Sequence, residues 1–149
     1  MLSDVFAVVN VRIDVFDVDT GGLLESQNVH NLVVDAGRNL LRDFLNRASV
    51  VGISHFGVGT GTAAVTAADT SLQTQVFRDV FTRVVTDVGR LQVQYYLASG
   101  SANGHALTEA GLFNAATGGV MYARVRFAST IAKTSSIAVT FTWDLTFTV

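Results

Sequence analysis

The C-terminal stretch of residues 137–149 limits what this chain can fold into more than any other part of it. Ile137, Val139, Phe141, Trp143, Leu145, Phe147 and Val149 alternate with Ala138, Thr140, Thr142, Asp144, Thr146 and Thr148. A two-residue period puts the large apolar side chains on one face of an extended strand and a threonine-rich set on the other. Residues 5–16 repeat the pattern, with Val5, Ala7, Val9, Val11, Ile13 and Val15 on one face. Twelve extended residues run about 40 Å, close to the full diameter of a compact domain of this length, about 40 Å. Such a strand must cross the whole domain, bend at a bulge, or project from it. The expectation is that one of the two terminal strands lies partly outside its own subunit's core. Val9, Val11, Ile13, Phe141 and Trp143 are then the candidate interface residues.

Between these strands the chain reads as β-structure punctuated by glycine. Residues 17–22, Asp17-Val18-Asp19-Thr20-Gly21-Gly22, supply a hairpin turn, and residues 23–34 return as one strand. Asp35 reads as an N-cap for a single helix over residues 36–47, with Leu40, Leu41, Phe44 and Leu45 on one stripe. Further strands are expected over residues 51–57, 76–87, 91–98, 107–114 and 120–128. With seven to nine strands and one early helix, the predicted fold is all-β: an antiparallel β-sandwich or jelly roll, in one domain spanning residues 1–149.

Composition removes several function classes. The 10 basic and 12 acidic residues, net −2, argue against a partner held by phosphate neutralisation, so no nucleic acid is expected. Charged residues make up only 15% and apolar ones 49%, with mean hydropathy +0.40. No window nevertheless reaches the roughly 18 uninterrupted apolar residues of a spanning helix, and the opening MLSDVF lacks the pattern of a secretory signal. No membrane association is expected. A chain this poor in charge is expected to cover part of its surface with other subunits. It has no cysteine and no proline, which removes disulfides and thiolate chemistry.

The candidate chemical motifs are sparse. Gly57-Val58-Gly59-Thr60-Gly61-Thr62 lacks the Gly-Lys-Ser/Thr end of a phosphate loop and is read as a flexible turn using glycine at positive φ. His30, His55 and His105 are isolated, without metal-site spacing. Asp14, Asp17 and Asp19 are read as a solvated hairpin tip rather than a calcium loop. Glu109 is the exception, a carboxylate inside the apolar run Ala106-Leu107-Thr108-Glu109-Ala110-Gly111-Leu112-Phe113. Arg124 and Arg126 on the next strand are its expected partners in a structural salt bridge. No catalytic residue, cofactor or metal is assigned.

Several of these segments, in order, resemble a group of tailed-bacteriophage virion structural proteins. They are Gly57-Val58-Gly59-Thr60-Gly61-Thr62, Asp69-Thr70-Ser71-Leu72, Thr108-Glu109-Ala110-Gly111-Leu112-Phe113, Met121-Tyr122-Ala123-Arg124 with Phe127, and Ile131-Ala132-Lys133-Thr134, followed by the alternating strand from Phe141 to Phe147. Members of the group are described as tail-fibre-like or capsid cement proteins. The resemblance covers residues 51–149. It implies a non-enzymatic building block, a homotrimer that bridges subunits of the major capsid protein on the outer capsid surface of the virion. The alternatives are a tail-fibre, baseplate or neck component, or a carbohydrate-binding module or small hydrolase acting through His55, His105 or Glu109.

Overall fold

Side chains that alternate in sequence bury one face only if two such faces meet, and that is the arrangement here. The computed structural model describes residues 8–46 and 49–147. Its elements are β1 (Val8–Asp17), β2 (Leu23–His30), β3 (Leu32–Val33), α1 (Asp35–Leu45), β4 (His55–Gly59), β5 (Gln75–Val80), β6 (Arg83–Asp87), β7 (Arg90–Leu97), β8 (Ala106–Phe113), β9 (Met121–Ala132) and β10 (Ile137–Thr146). They form two antiparallel five-stranded sheets, ordered β2-β1-β10-β7-β6 and β3-β9-β8-β4-β5. The fold is an all-β sandwich with a single short helix. Among the described residues no helix is long and apolar enough to cross a membrane.

The terminal strands are the centre of the first sheet. β10 pairs with β1 on one side and β7 on the other, with Val11 opposite Trp143 and Ile13 opposite Phe141. Their apolar faces meet the second sheet across an aromatic core. Phe56 stacks on Tyr95 with centroids 4.5 Å apart, lies 4.6 Å from Phe141, and meets Trp143 edge-on at 5.6 Å. Each of these large side chains contributes about 1.5–3 kcal/mol by leaving water.

This corrects the expectation of an interface on the strand faces. Val9, Val11, Ile13, Phe141 and Trp143 are all 4% exposed or less within the single chain. The opposing sheet covers them, so they offer nothing to a second subunit. The length argument is met by a register shift in the β1–β2 pairing between Val15 and Phe16. Residues 5–7 of the first expected strand, Arg47 of the expected helix, and Thr148 and Val149 lie outside the described residues.

Two expected strands are each divided between the sheets. Residues 23–34 break at Asn31, whose N–H donates to Val9 in the first sheet while Leu32 pairs with Arg124 in the second. Residues 76–87 break at Phe81, whose N–H donates to Ser54 O at 3.0 Å. The next residue, Thr82, donates to Gln94 O at 2.9 Å. The changeover takes one residue.

The helix starts at Asp35, one residue earlier than expected. Val34 holds the N-cap position without a side-chain cap, and Asp35 pairs with Arg38 inside the first turn. Docking uses Gly37, where a Cβ would sit 2.0 Å from the Tyr122 carbonyl oxygen, together with Leu40. Of the rest of the predicted stripe, Leu41 is half-buried, while Phe44 is 57% and Leu45 69% exposed.

Candidate functional site

Glu109 lies at the centre of a buried polar cluster. On β8, Leu107, Ala110 and Leu112 point into the sandwich core, with a register shift between Leu107 and Glu109. Glu109 therefore projects from the opposite face of the sheet, where residues 60–74 cross as a strap. The carboxylate is fully buried there. A buried carboxylate needs its lone pairs filled, and these are. Oε1 accepts from the amides of Gly61 at 3.0 Å and Thr74 at 2.8 Å. Oε2 accepts from the Gln73 amide at 3.1 Å and from Arg124 Nε at 2.9 Å, with Arg124 Nη2 at 2.8 Å.

Arg124, on β9, carries the contact onward. Its Nη1 donates to Asp69 Oδ2 at 2.8 Å, and its Nη2 donates to Ala63 O at 3.0 Å. Asp69 in turn accepts from the amide and hydroxyl of Thr66. Partial burial raises the Asp69 carboxyl, but the Thr66 bonds and the Arg124 guanidinium outweigh it and hold the group below the usual carboxylate range. A second small core joins Leu72 of the strap to Val34, Phe113 and Met121 beneath it. The cluster thus fastens a polar loop over an apolar floor.

The glycines of residues 57–62 have a role other than the one expected. Gly57, Gly59 and Gly61 are not among the residues at positive φ. They recur at a period of two along β4 and its extension, and each removes a Cβ from the strap side of the sheet. A Cβ on Gly59 would lie 2.3 Å from Thr74 O and 2.6 Å from Glu109 Oε1. One on Gly61 would lie 2.5 Å from the same carboxylate oxygen. Close approach of the carboxylate and the strap requires glycine here.

Of the expected salt bridge, Glu109 and Arg124 are joined and Arg126 is not. Arg126 stands opposite Glu109 in the strand register but is exposed, beyond the strap's cover. The histidines are not gathered with Glu109. His55 pairs with Phe113, whereas Gly59 pairs with Glu109, four residues or about 13 Å along the strand; His30 and His105 are exposed. Among the described residues no group of His, Asp and Glu is arranged to hold a metal. Asp17 accepts from the amides of Asp19 and Thr20 and closes its turn, while Asp14 binds Arg12 and Ser26.

Sequence reasoning missed Asp69 and the three strap amides. The signal was present in the two-residue spacing of the glycines, which marks one face of a strand as closely approached. It also missed Lys133, the chain's single lysine, which is 1% exposed. Its Nζ donates to Asn103 Oδ1 at 2.8 Å, Thr134 O at 3.0 Å and Ser99 O at 3.3 Å. Burial lowers its pKa. The ammonium ties the loop of residues 98–104 to the β9–β10 connection.

With its lone pairs occupied by the fold, the Glu109 cluster performs a clamping role and presents no free acid or base. An apolar surface is also open to solvent at the end of the sandwich beside α1. Leu40, Leu41, Phe44, Ile53, Leu145 and Phe147 line an apolar hollow of about 160 Å³ there, and Val51 nearby is 65% exposed. Comparison with protein-family models, with curated proteins and with solved structures finds no match for this chain.

Proposed function

We propose that this chain is a non-enzymatic structural protein of a tailed-bacteriophage particle. In this reading it is a capsid decoration protein that sits as a homotrimer on the outer surface of the shell and bridges neighbouring major capsid protein subunits. The apolar end beside α1 carries the proposal. Phe44, Leu45 and Val51 are each more than half exposed on a rigid sandwich, and clustered exposed apolar groups of this kind are what interfaces cover. The strap supports it too. Residues 57–62, 69–72, 108–113 and 121–124, four segments of the resemblance to virion proteins, converge on the Glu109–Arg124 clamp, so the shared residues form one structural unit.

The test is localisation by cryo-electron microscopy of purified particles, with a Phe44→Ser/Leu45→Ser double variant alongside. Density for the wild type on the shell, and loss of particle binding by a variant that unfolds at the wild-type temperature, is the expected result. Density confined to the tail would replace the decoration assignment with a tail component. Undiminished shell binding by the double variant would remove the apolar end from the interface.

A further inference from the structure

The outer face of the first sheet carries a pocket unrelated to the clamp and to the apolar end. Phe16 on β1 pairs with Ala138 on β10, and Tyr96 on β7 pairs with Thr140 on β10. The two aromatic residues thus stand on the strands either side of β10, offset by two residues, so they lie diagonally about 12 Å apart. The small Ala138 and Thr140 form the floor between them, and Asp17 closes one end. The cavity holds about 330 Å³, at the lower end of the size range of small-molecule sites, about 300–1,000 Å³.

Its chemistry is specific. Tyr96 is 51% exposed, an aromatic surface the fold itself leaves uncovered. The Tyr96 and Thr140 hydroxyls have no hydrogen-bond partner among the described residues. Asp17 uses Oδ1 for its turn, accepting from Asp19, from the Thr20 amide and from the Thr20 hydroxyl, which leaves Oδ2 free. The Thr20 amide above all, with the other turn bonds, lowers the Asp17 pKa, and the pocket lining contains no cationic side chain.

We propose that this pocket binds a single neutral pyranose ring. A pyranose has an apolar C–H face that packs on an aromatic ring and a rim of hydroxyls that exchange hydrogen bonds with groups such as the Thr140 and Tyr96 hydroxyls. The Asp17 charge at the end of the pocket, with no cationic side chain in the lining, repels uronic and sialic acids. The proposal is independent of the decoration reading, since neither the clamp nor the apolar end takes part.

Saturation-transfer NMR with glucose, galactose, mannose and N-acetylglucosamine, and with glucuronic acid as the charged control, tests it. At least one neutral sugar should give transfer and shift the amide signals of Tyr96 and Thr140. Tyr96→Ala, a change at an exposed side chain, should weaken that binding about tenfold or more without changing the unfolding midpoint. Thr140→Val should weaken it while leaving the aromatic contact. Absence of transfer from all four neutral sugars, equal binding by Tyr96→Ala, or stronger binding of glucuronic acid would each overturn the proposal.

Discussion

Replacing Glu109 with glutamine changes one atom and tests the whole clamp. Every group that touches the carboxylate is a donor: the amides of Gly61, Gln73 and Thr74 and two nitrogens of Arg124. In either orientation of the new amide, its NH₂ faces donors at one of the two oxygen positions. Arg124, 2% exposed, keeps Asp69 but loses its buried counter-charge. Breaking one partner of a buried pair costs about 3–5 kcal/mol, so Glu109→Gln should cost that much. For a domain of this size the melting point should fall by about 6–20 °C. Urea titration by circular dichroism gives the free energy. Amide hydrogen exchange should show Gly61, Gln73 and Thr74 losing protection before the strands of the first sheet do. Adding Arg124→Met removes the orphaned cation, so the double variant should be more stable than the sum of the single losses by at least about 1 kcal/mol. A loss below about 1 kcal/mol for Glu109→Gln, with unchanged exchange at the three amides, would refute the clamp.

Gly59→Ala should cost about 1–3 kcal/mol by forcing a Cβ against Thr74 O and the Glu109 carboxylate, whereas Gly100→Ala, with open space around it, should stay within about 0.5 kcal/mol in the same urea titration. Asp69→Asn should lower stability at neutral pH by about 1.5–3 kcal/mol, the worth of hydrogen bonds to a charged group. Because the folded-state pKa of Asp69 lies below its ordinary 3.8, its contribution is present above that value and lost as pH falls through the folded pKa; the gap between wild type and Asp69→Asn should therefore narrow below pH 3.8 in a pH series of melts. Lys133→Met should leave Asn103 Oδ1 without its donor and take one of two donors from Ser99 O and Thr134 O, which keep Asn103 Nδ2 and the Ile137 amide, at about 1–3 kcal/mol, and limited proteolysis should then cut within residues 98–104 faster than in the wild type.

The legible parts of this fold are those where a local pattern and the final environment coincide. The alternation of residues 137–146 announces a strand with one covered face, and the hairpin at Asp17 to Gly22 follows from its turn residues. What covers that face was misjudged, because a two-residue period reports that one side is buried and not whether the cover comes from the same chain. The crossings at Asn31 and Phe81 were hidden for a related reason: alternation runs on unbroken when a strand leaves one sheet for the other. In the helix, the apolar stripe misled at Phe44 and Leu45, which stay exposed beside the docked Leu40. Contact there is made through the missing side chain of Gly37, which periodicity does not score. Glu109 and Arg124 were found because charge inside an apolar strand is conspicuous, but Asp69 lies in a polar stretch where an acid attracts no notice.

The caging of Lys133 has a practical consequence for chemical labelling. Reagents that acylate primary amines have one side-chain target in this chain, and it is buried within a cage of oxygen atoms. Acylation of Lys133 therefore waits for residues 98–104 to lift away, and its rate measures how often that loop opens. The same holds for cleavage after lysine, which becomes a single-cut gauge of local unfolding. On the proposed reading, amine-directed cross-linking of particles would under-represent this protein even where it is firmly bound, and carboxylate-directed chemistry would be the fairer probe of its neighbours.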